Sequence, residues 1–258
     1  MSRFLALSLL FMLCTCTRSN KLIIGTDATY RPFEYVNEKG EIVGVDIGVG
    51  REIGKALGRE VEFRNINFDG LITALRTGSI DMILSSMTAT PERRQSIDFS
   101  APYLKTGLAI LTAKNSTIRD AKDLHSPGRT VVVRLGTTGE SWARENLKEA
   151  KIIALDADAS CVMEVVNAHA DAWVYDQLSI MNHHAQHTDT TRALLAPLRE
   201  ESWAIGLKQG DHELKAQVNA VLARMRADGT FSKLADQFMA KEKAMMAAQG
   251  LPFVFELK

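Results

Sequence analysis

The chain has 258 residues, 46% of them apolar, with 31 lysines plus arginines against 31 aspartates plus glutamates. This is enough material for a substantial core, in one domain or two lobes, and it excludes an overall disordered chain. A formal net charge of zero excludes a global basic field for nucleic acid and an acidic solvating tail, so any recognition by charge is local.

Residues 1–20, MSRFLALSLLFMLCTCTRSN, set Arg3 before an apolar run from Phe4 to Leu13. The run is too short to span a bilayer and stands where an export signal belongs. Its end resembles the lipobox of bacterial lipoproteins: Leu13 lies three residues before Cys16, although Thr15 is larger than the residue usual before the cysteine. That resemblance implies acylation at Cys16, with Cys14 as a second candidate; the alternative is a plain signal peptide. Only Cys161 remains beyond it, so the exported part is not a disulfide-stapled fold. No second apolar stretch approaches membrane-spanning length.

From Lys21 onward, strand-like runs alternate with amphipathic helical stretches, which predicts an α/β fold with substantially parallel sheets. KLIIGT is a strand, VDIGVGREIGKALG a helix, VEFR a strand, DGLITALRTG a helix stopped by Gly78, and IDMILSS the next strand. A second series follows YLKTGLAILTAKN: TVVVRLG, GESWARENLKEA, KIIAL, ASCVMEVVNAHA and DAWVY alternate strand and helix. SWAIGLK reads as a further strand, Asp211 to Arg226 as a long helix, and Thr230 opens another helix after Gly229. The segment AKEKAMMAAQGLPFVFELK begins as a helix and ends in an apolar stretch. Two α/β lobes with the chain returning after the second would leave a cleft between them, a common place for a ligand.

SSMTATPERR, residues 85–94, falls at a strand's carboxyl end, where open α/β sheets place ligands. Thr90 can cap a helix begun by Pro91, and free amides there favour an anion. Arg93 in that turn can grip a carboxylate with a planar fork, or pair with Glu92 or Asp98; Arg94 points elsewhere, toward solvent. RLGTTGES, residues 134–141, is the counterpart in the second series; its hydroxyls could meet the same anion, or Thr138 or Ser141 could merely cap a helix. Asp176, at another strand end, supplies the opposite charge, as a zwitterion enclosed between lobes requires.

IIGTDATYRPFEYVNEKGEIVGVDIGVGREIGKALG, FDGLITALRTGSIDMILSSMTATPERRQSIDFSAPY, VVVRLGTTGES and MRADGTFSKLADQF, in this order, resemble the periplasmic polar amino-acid-binding proteins that feed ABC importers. The resemblance runs from about Lys21 to Met239. It implies a type II periplasmic binding fold, with lobe 1 from residues 21–104 and 205–258, lobe 2 from 109–199, and hinge strands at 104–108 and 200–204. It also implies that Arg93 binds the ligand α-carboxylate with help from Ser86 and Thr138. Asp176 would take the α-ammonium, with the Ser85 carbonyl and the Thr88 hydroxyl. Tyr30 and Phe68 would sandwich the side chain, and Asp27 would accept hydrogen bonds from its tip.

Arg134 departs from relatives that bind basic side chains, which often have an apolar residue here, and matches a glutamine-binding relative in carrying a cation. Facing the pocket, it would repel a lysine or arginine tip while Asp27 repels a glutamate tip, which makes glutamine the first choice. Turned to solvent or paired fully with Asp27, it would leave arginine, lysine or histidine as ligands. The expectation is a non-catalytic, monomeric receptor outside the cytoplasmic membrane. Its partners are a free amino acid and an ABC permease, not nucleic acid, and it needs no cofactor or metal. The enzyme alternative is a prephenate or arogenate dehydratase of the same fold, with Glu34 or Asp27 as its acid; a ligand-sensing module is a third. GVGREIG lies within a helical pattern, so its glycines suit packing rather than a dinucleotide, and His183, His184 and His187 suit a solvated face rather than a metal.

Overall fold

The computed structural model describes residues 21–255; the expected export signal, with Cys14 and Cys16, lies outside the described residues. Two five-stranded sheets form the two lobes. In the first, Lys21–Thr26 runs parallel to both Glu60–Asn65 and Met82–Ile83, and Gly206–Leu207 then pairs antiparallel with Met82–Ile83 and with Asp98–Phe99. In the second, Thr130–Arg134 is parallel to Lys151–Leu155 and Ala172–Asp176, while Leu104–Ala113 lies antiparallel between Ala172–Asp176 and Thr191–Trp203. This is the two-lobed type II periplasmic binding fold.

Each lobe follows from its pattern. Leu22 and Ile24 of the first strand are fully buried, and helix Val45–Leu57 covers them with Val45, Val49 and Ile53. Gly58 and Gly78 end their helices in the left-handed conformation and take the last carbonyls with their own amides. The glycines of GVGREIG serve packing: a Cβ on Gly54 would stand 2.1 Å from Val61 Cγ2. In lobe 2, Val131, Val133, Val174 and Trp142 close a separate core.

Three stretches differ from the sequence expectation. SWAIGLK is not one strand: Thr191–Trp203 ends in the second sheet and Gly206–Leu207 belongs to the first. The chain changes sheets here, so the uniform apolar pattern hides a crossing. PERR forms only one helical turn, Pro91–Arg94, with the Thr90 side chain accepting from Arg93 N at 3.2 Å. A single turn sums few peptide dipoles, so the helix end by itself attracts an anion only weakly. Gln177–Gln186 is a further helix, capped by Asp176; its sequence, QLSIMNHHAQ, carries only a weak amphipathic stripe.

Residues 104–108 and 199–203 pair as antiparallel strands of the second sheet. Helix Ala240–Ala248 and the segment after it pack onto the large core through Met246, Val254, Phe253 and Phe255, and Val254 O accepts from Lys105 N at 3.0 Å. Among the described residues, no helix is long and apolar enough to cross a membrane, and no cluster of His, Cys, Asp and Glu could hold a metal ion. His183 instead packs 5.4 Å from the Trp173 ring, and burial lowers its pKa to about 4.

Candidate amino-acid site

One cavity at the carboxyl ends of the strands is lined by Asp27, Tyr30, Phe68, Ser85, Ser86, Thr88, Arg93, Arg134, Thr138 and Asp176. Every pocket position to which the sequence points therefore faces a single space. Thr137, Tyr175, Glu201 and Trp203 line it as well, and so does Glu34, which the sequence suggested only as the acid of the enzyme alternative. Glu34 follows Tyr30 by four residues, a spacing that could have placed it here. Glu201 and Trp203 sit on the returning strand, where local sequence carries no sign of the cavity.

The lobes meet across this space. Arg93 Nη1 donates to Thr88 O at 2.8 Å within lobe 1, and Nη2 donates to Gly136 O of lobe 2 at 3.0 Å. The guanidinium is thus engaged by these carbonyls rather than by Glu92 or Asp98, and it stands 5.2 Å from the Phe68 ring, within cation–π range. Burial lowers the Arg93 pKa to about 10, with the Glu201 charge acting in the opposite direction. Arg94 is exposed and lies over Phe99.

Asp176 Oδ1 accepts from Tyr30 Oη at 2.5 Å and from the amides of Leu178 and Ser179, while Oδ2 accepts from Thr106 Oγ1 at 2.6 Å. The helix it caps fixes its direction. Burial raises its pKa to about 6, against the pull of those donors.

Arg134 is enclosed by acids. Nη2 lies 2.6 Å from Asp27 Oδ2, and Nη1 lies 3.0 Å from Asp158 Oδ1, an ion pair outside good hydrogen-bond angles. Nη2 also donates to Thr29 Oγ1, and Nη1 to Tyr175 Oη. Burial works to lower its pKa, but Tyr175, Asp158 and Asp27 outweigh it and the pKa is raised. The sequence left Arg134 facing a ligand, turned to solvent or paired with Asp27; it is buried, lines the cavity and is paired twice. Burial raises Asp158 to about 6 although Arg134 opposes this. Asp27 is held in place by Thr29 Oγ1 and Phe68 N.

Glu34, at the cavity wall, and Asp46, outside the lining, are buried together, with hydroxyls and an amide around them in place of a cation. Ser86, at φ +49°, donates its amide to Asp46 Oδ2 and its hydroxyl to Glu34 Oε2. These bonds hold a backbone conformation that non-glycine residues rarely adopt. Burial raises both acids, Asp46 to about 7.

In RLGTTGES neither Thr138 nor Ser141 is the helix cap. Thr137 occupies that position, with its hydroxyl donating to Arg134 O, and Thr138 Oγ1 instead donates to Glu201.

Comparison with known proteins agrees with this fold. Residues 22–241 match the bacterial extracellular solute-binding proteins, family 3, and the chain belongs to that family. It is 33% identical to the arginine-binding extracellular protein ArtP of Bacillus subtilis (strain 168), over 90% of this chain and 94% of ArtP. Among solved structures, the ancestral amino acid-binding protein AncCDT-1, a precursor of cyclohexadienyl dehydratase, is 38% identical with TM-score 0.78, covering 85% of this chain and 95% of that one. An ancestral arginine-binding protein bound to glutamine is 32% identical with TM-score 0.79, covering 86% and 99%.

Proposed function

We propose that this protein is an extracytoplasmic receptor that closes its two lobes on a free polar L-amino acid and delivers it to an ABC importer. The observation that carries this reading is a cavity shared by Arg93 of lobe 1 and Asp176 of lobe 2, opposite charges set on one cleft. Arg93 takes the α-carboxylate and Asp176 the α-ammonium, each charge meeting its complement as it leaves water. Tyr30 and Phe68 flank the side chain. The paired strands at 104–108 and 199–203 act as the hinge. The receptor works as a monomer outside the cytoplasm, and acylation of Cys16 would tether it to a membrane.

Glutamine, the first choice from the sequence, depended on an uncompensated Arg134. Asp27 and Asp158 both pair with Arg134, so this cluster, of which Asp27 and Arg134 line the cavity, carries one carboxylate more than it has cations. A side chain ending in N–H donors suits it, and a cationic one most of all, so arginine or lysine moves ahead of glutamine. The enzyme reading, a prephenate or arogenate dehydratase, is favoured by one observation: Glu34 lines the cavity with a raised pKa, as a general acid requires.

A thermal-shift screen of refolded, ligand-stripped protein against the twenty amino acids, prephenate and arogenate tests all three. Stabilisation by arginine or lysine, lost in Arg93→Ala, supports the receptor and its acidic pocket. A response to glutamine alone restores the first choice, and turnover of prephenate or arogenate replaces the receptor with an enzyme.

A further inference from the structure

Glu201 lies on the returning strand Thr191–Trp203, at the level of its pairing with Thr106. It is buried and lines the same cavity as Arg93 and Asp176. Its Oε2 accepts from Thr88 Oγ1 of lobe 1 and from Thr138 Oγ1 of lobe 2, both at 2.9 Å. Its Oε1 is held by Arg199 through Nε at 3.3 Å and Nη2 at 2.9 Å. The carboxylate is thus fixed from behind, with one oxygen turned to a hydroxyl from each lobe.

A threonine hydroxyl has one hydrogen and two lone pairs. With both hydrogens committed to Glu201, Thr88 and Thr138 can only accept from anything in the cavity. The neighbouring Asp176 Oδ2 accepts from Thr106 and retains acceptor capacity. The wall from Thr88 through Glu201 and Thr138 to Asp176 therefore offers acceptors and negative charge. A carboxylate finds no hydroxyl donor there and depends on Arg93 and on main-chain amides.

We propose that Glu201 is a specificity-determining residue: by taking the hydroxyl hydrogens of Thr88 and Thr138 it turns both into acceptors, and it makes the site demand an α-ammonium group. This inference rests on the amino-acid receptor reading and deepens it. It changes the help toward a carboxylate that family resemblance gives Thr138: the hydroxyl becomes an acceptor from an ammonium. It also assigns one residue of the hinge region to reading the ligand, since Glu201 can hold both hydroxyls only when the lobes approach.

The test is titration calorimetry on ligand-stripped protein with L-arginine, or L-glutamine if that is the amino acid bound, and with the same compound lacking its α-amino group. In wild type the amino acid binds far more tightly than the deaminated analogue. Glu201→Gln narrows that ratio by roughly 10-fold or more, the scale of one charged hydrogen bond, and strengthens the analogue because a negative charge beside Arg93 is gone. Thr138→Val, which keeps Glu201 charged, weakens the amino acid and leaves the analogue within about 2-fold of wild type, since only the ammonium used that hydroxyl. Equal losses for both ligands in Thr138→Val, or an unchanged ratio in a folded Glu201→Gln, overturn the proposal and leave the receptor intact. A wild type that binds none of the amino acids overturns the receptor reading and this inference together.

Discussion

Asp27 Oδ2 and Arg134 Nη2 stand 2.6 Å apart across the cleft, and both side chains are almost wholly buried. One residue comes from lobe 1 and the other from lobe 2, so the pair exists only when the lobes are together. Arg134→Ala would leave Asp27 and Asp158 facing each other without a cation. Removing one partner of a buried pair costs about 3–5 kcal/mol where the other charge stays buried. We expect a lower melting temperature and a more open solution shape, read by calorimetry and small-angle scattering. An unchanged melting temperature would mean that the pair is solvated in solution.

The Glu34–Asp46 pair predicts the pH dependence of stability. Both acids have raised pKa values in the folded protein, so the folded state keeps protons that the unfolded chain releases. Their contribution is fully present below the ordinary carboxylate range and is lost as pH rises toward about 7 for Asp46, at about 1.4 kcal/mol per pH unit for each proton retained. Asp46→Asn, which keeps the shape and cannot ionise, should flatten the fall in melting temperature between acidic and neutral pH. A wild-type protein that grows more stable through that window would contradict the assignment.

Gly44 tests the backbone beside this pair. Its φ is +131°, and a Cβ there would lie 2.2 Å from Phe33 O. Phe33 O also accepts from Asp46 N, so the carbonyl is not free to move. Gly44→Ala should destabilise the protein by about 3 kcal/mol or more, through the strained conformation and the clash together. Gly58→Ala, with open space around the added carbon, should cost about 1 kcal/mol from its left-handed φ alone. Denaturant melts of the two variants compare them directly.

Cys161 is fully buried, and its Sγ donates to Val133 O at 3.5 Å. Burial pushes the thiol up to about 12, so native protein should not react at this position with a thiol reagent at neutral pH, whereas an unfolded chain beginning at Lys21 should react once. Fast labelling of the native form would show that lobe 2 opens locally.

Much of the site was legible because its parts are local. Pro91 after Thr90, Arg93 in the following turn, and Asp176 after an apolar strand each mark a strand's carboxyl end, and parallel strands bring those ends together. Glu201 was illegible for the converse reason. Family resemblance places it in a hinge strand at 200–204 but gives it no contact with a ligand; its partners Thr88 and Thr138 lie far away in sequence. Arg134 was half legible: its nearness to Asp27 could be foreseen from the family, whereas Asp158 arrives from the start of a different helix. The split of SWAIGLK escaped because residues buried in either sheet carry the same apolar pattern.

Trp203 closes the returning strand with its ring 4.9 Å from Phe33 and 5.8 Å from Tyr30, and it lines the cavity. An indole that lines this cavity and is seated where the chain leaves one sheet for the other is a built-in optical gauge. Its emission colour and intensity will respond to whatever enters beside Tyr30, without any label attached. Trp142 and Trp173 are packed in lobe 2 and provide a steady background against which that signal stands out.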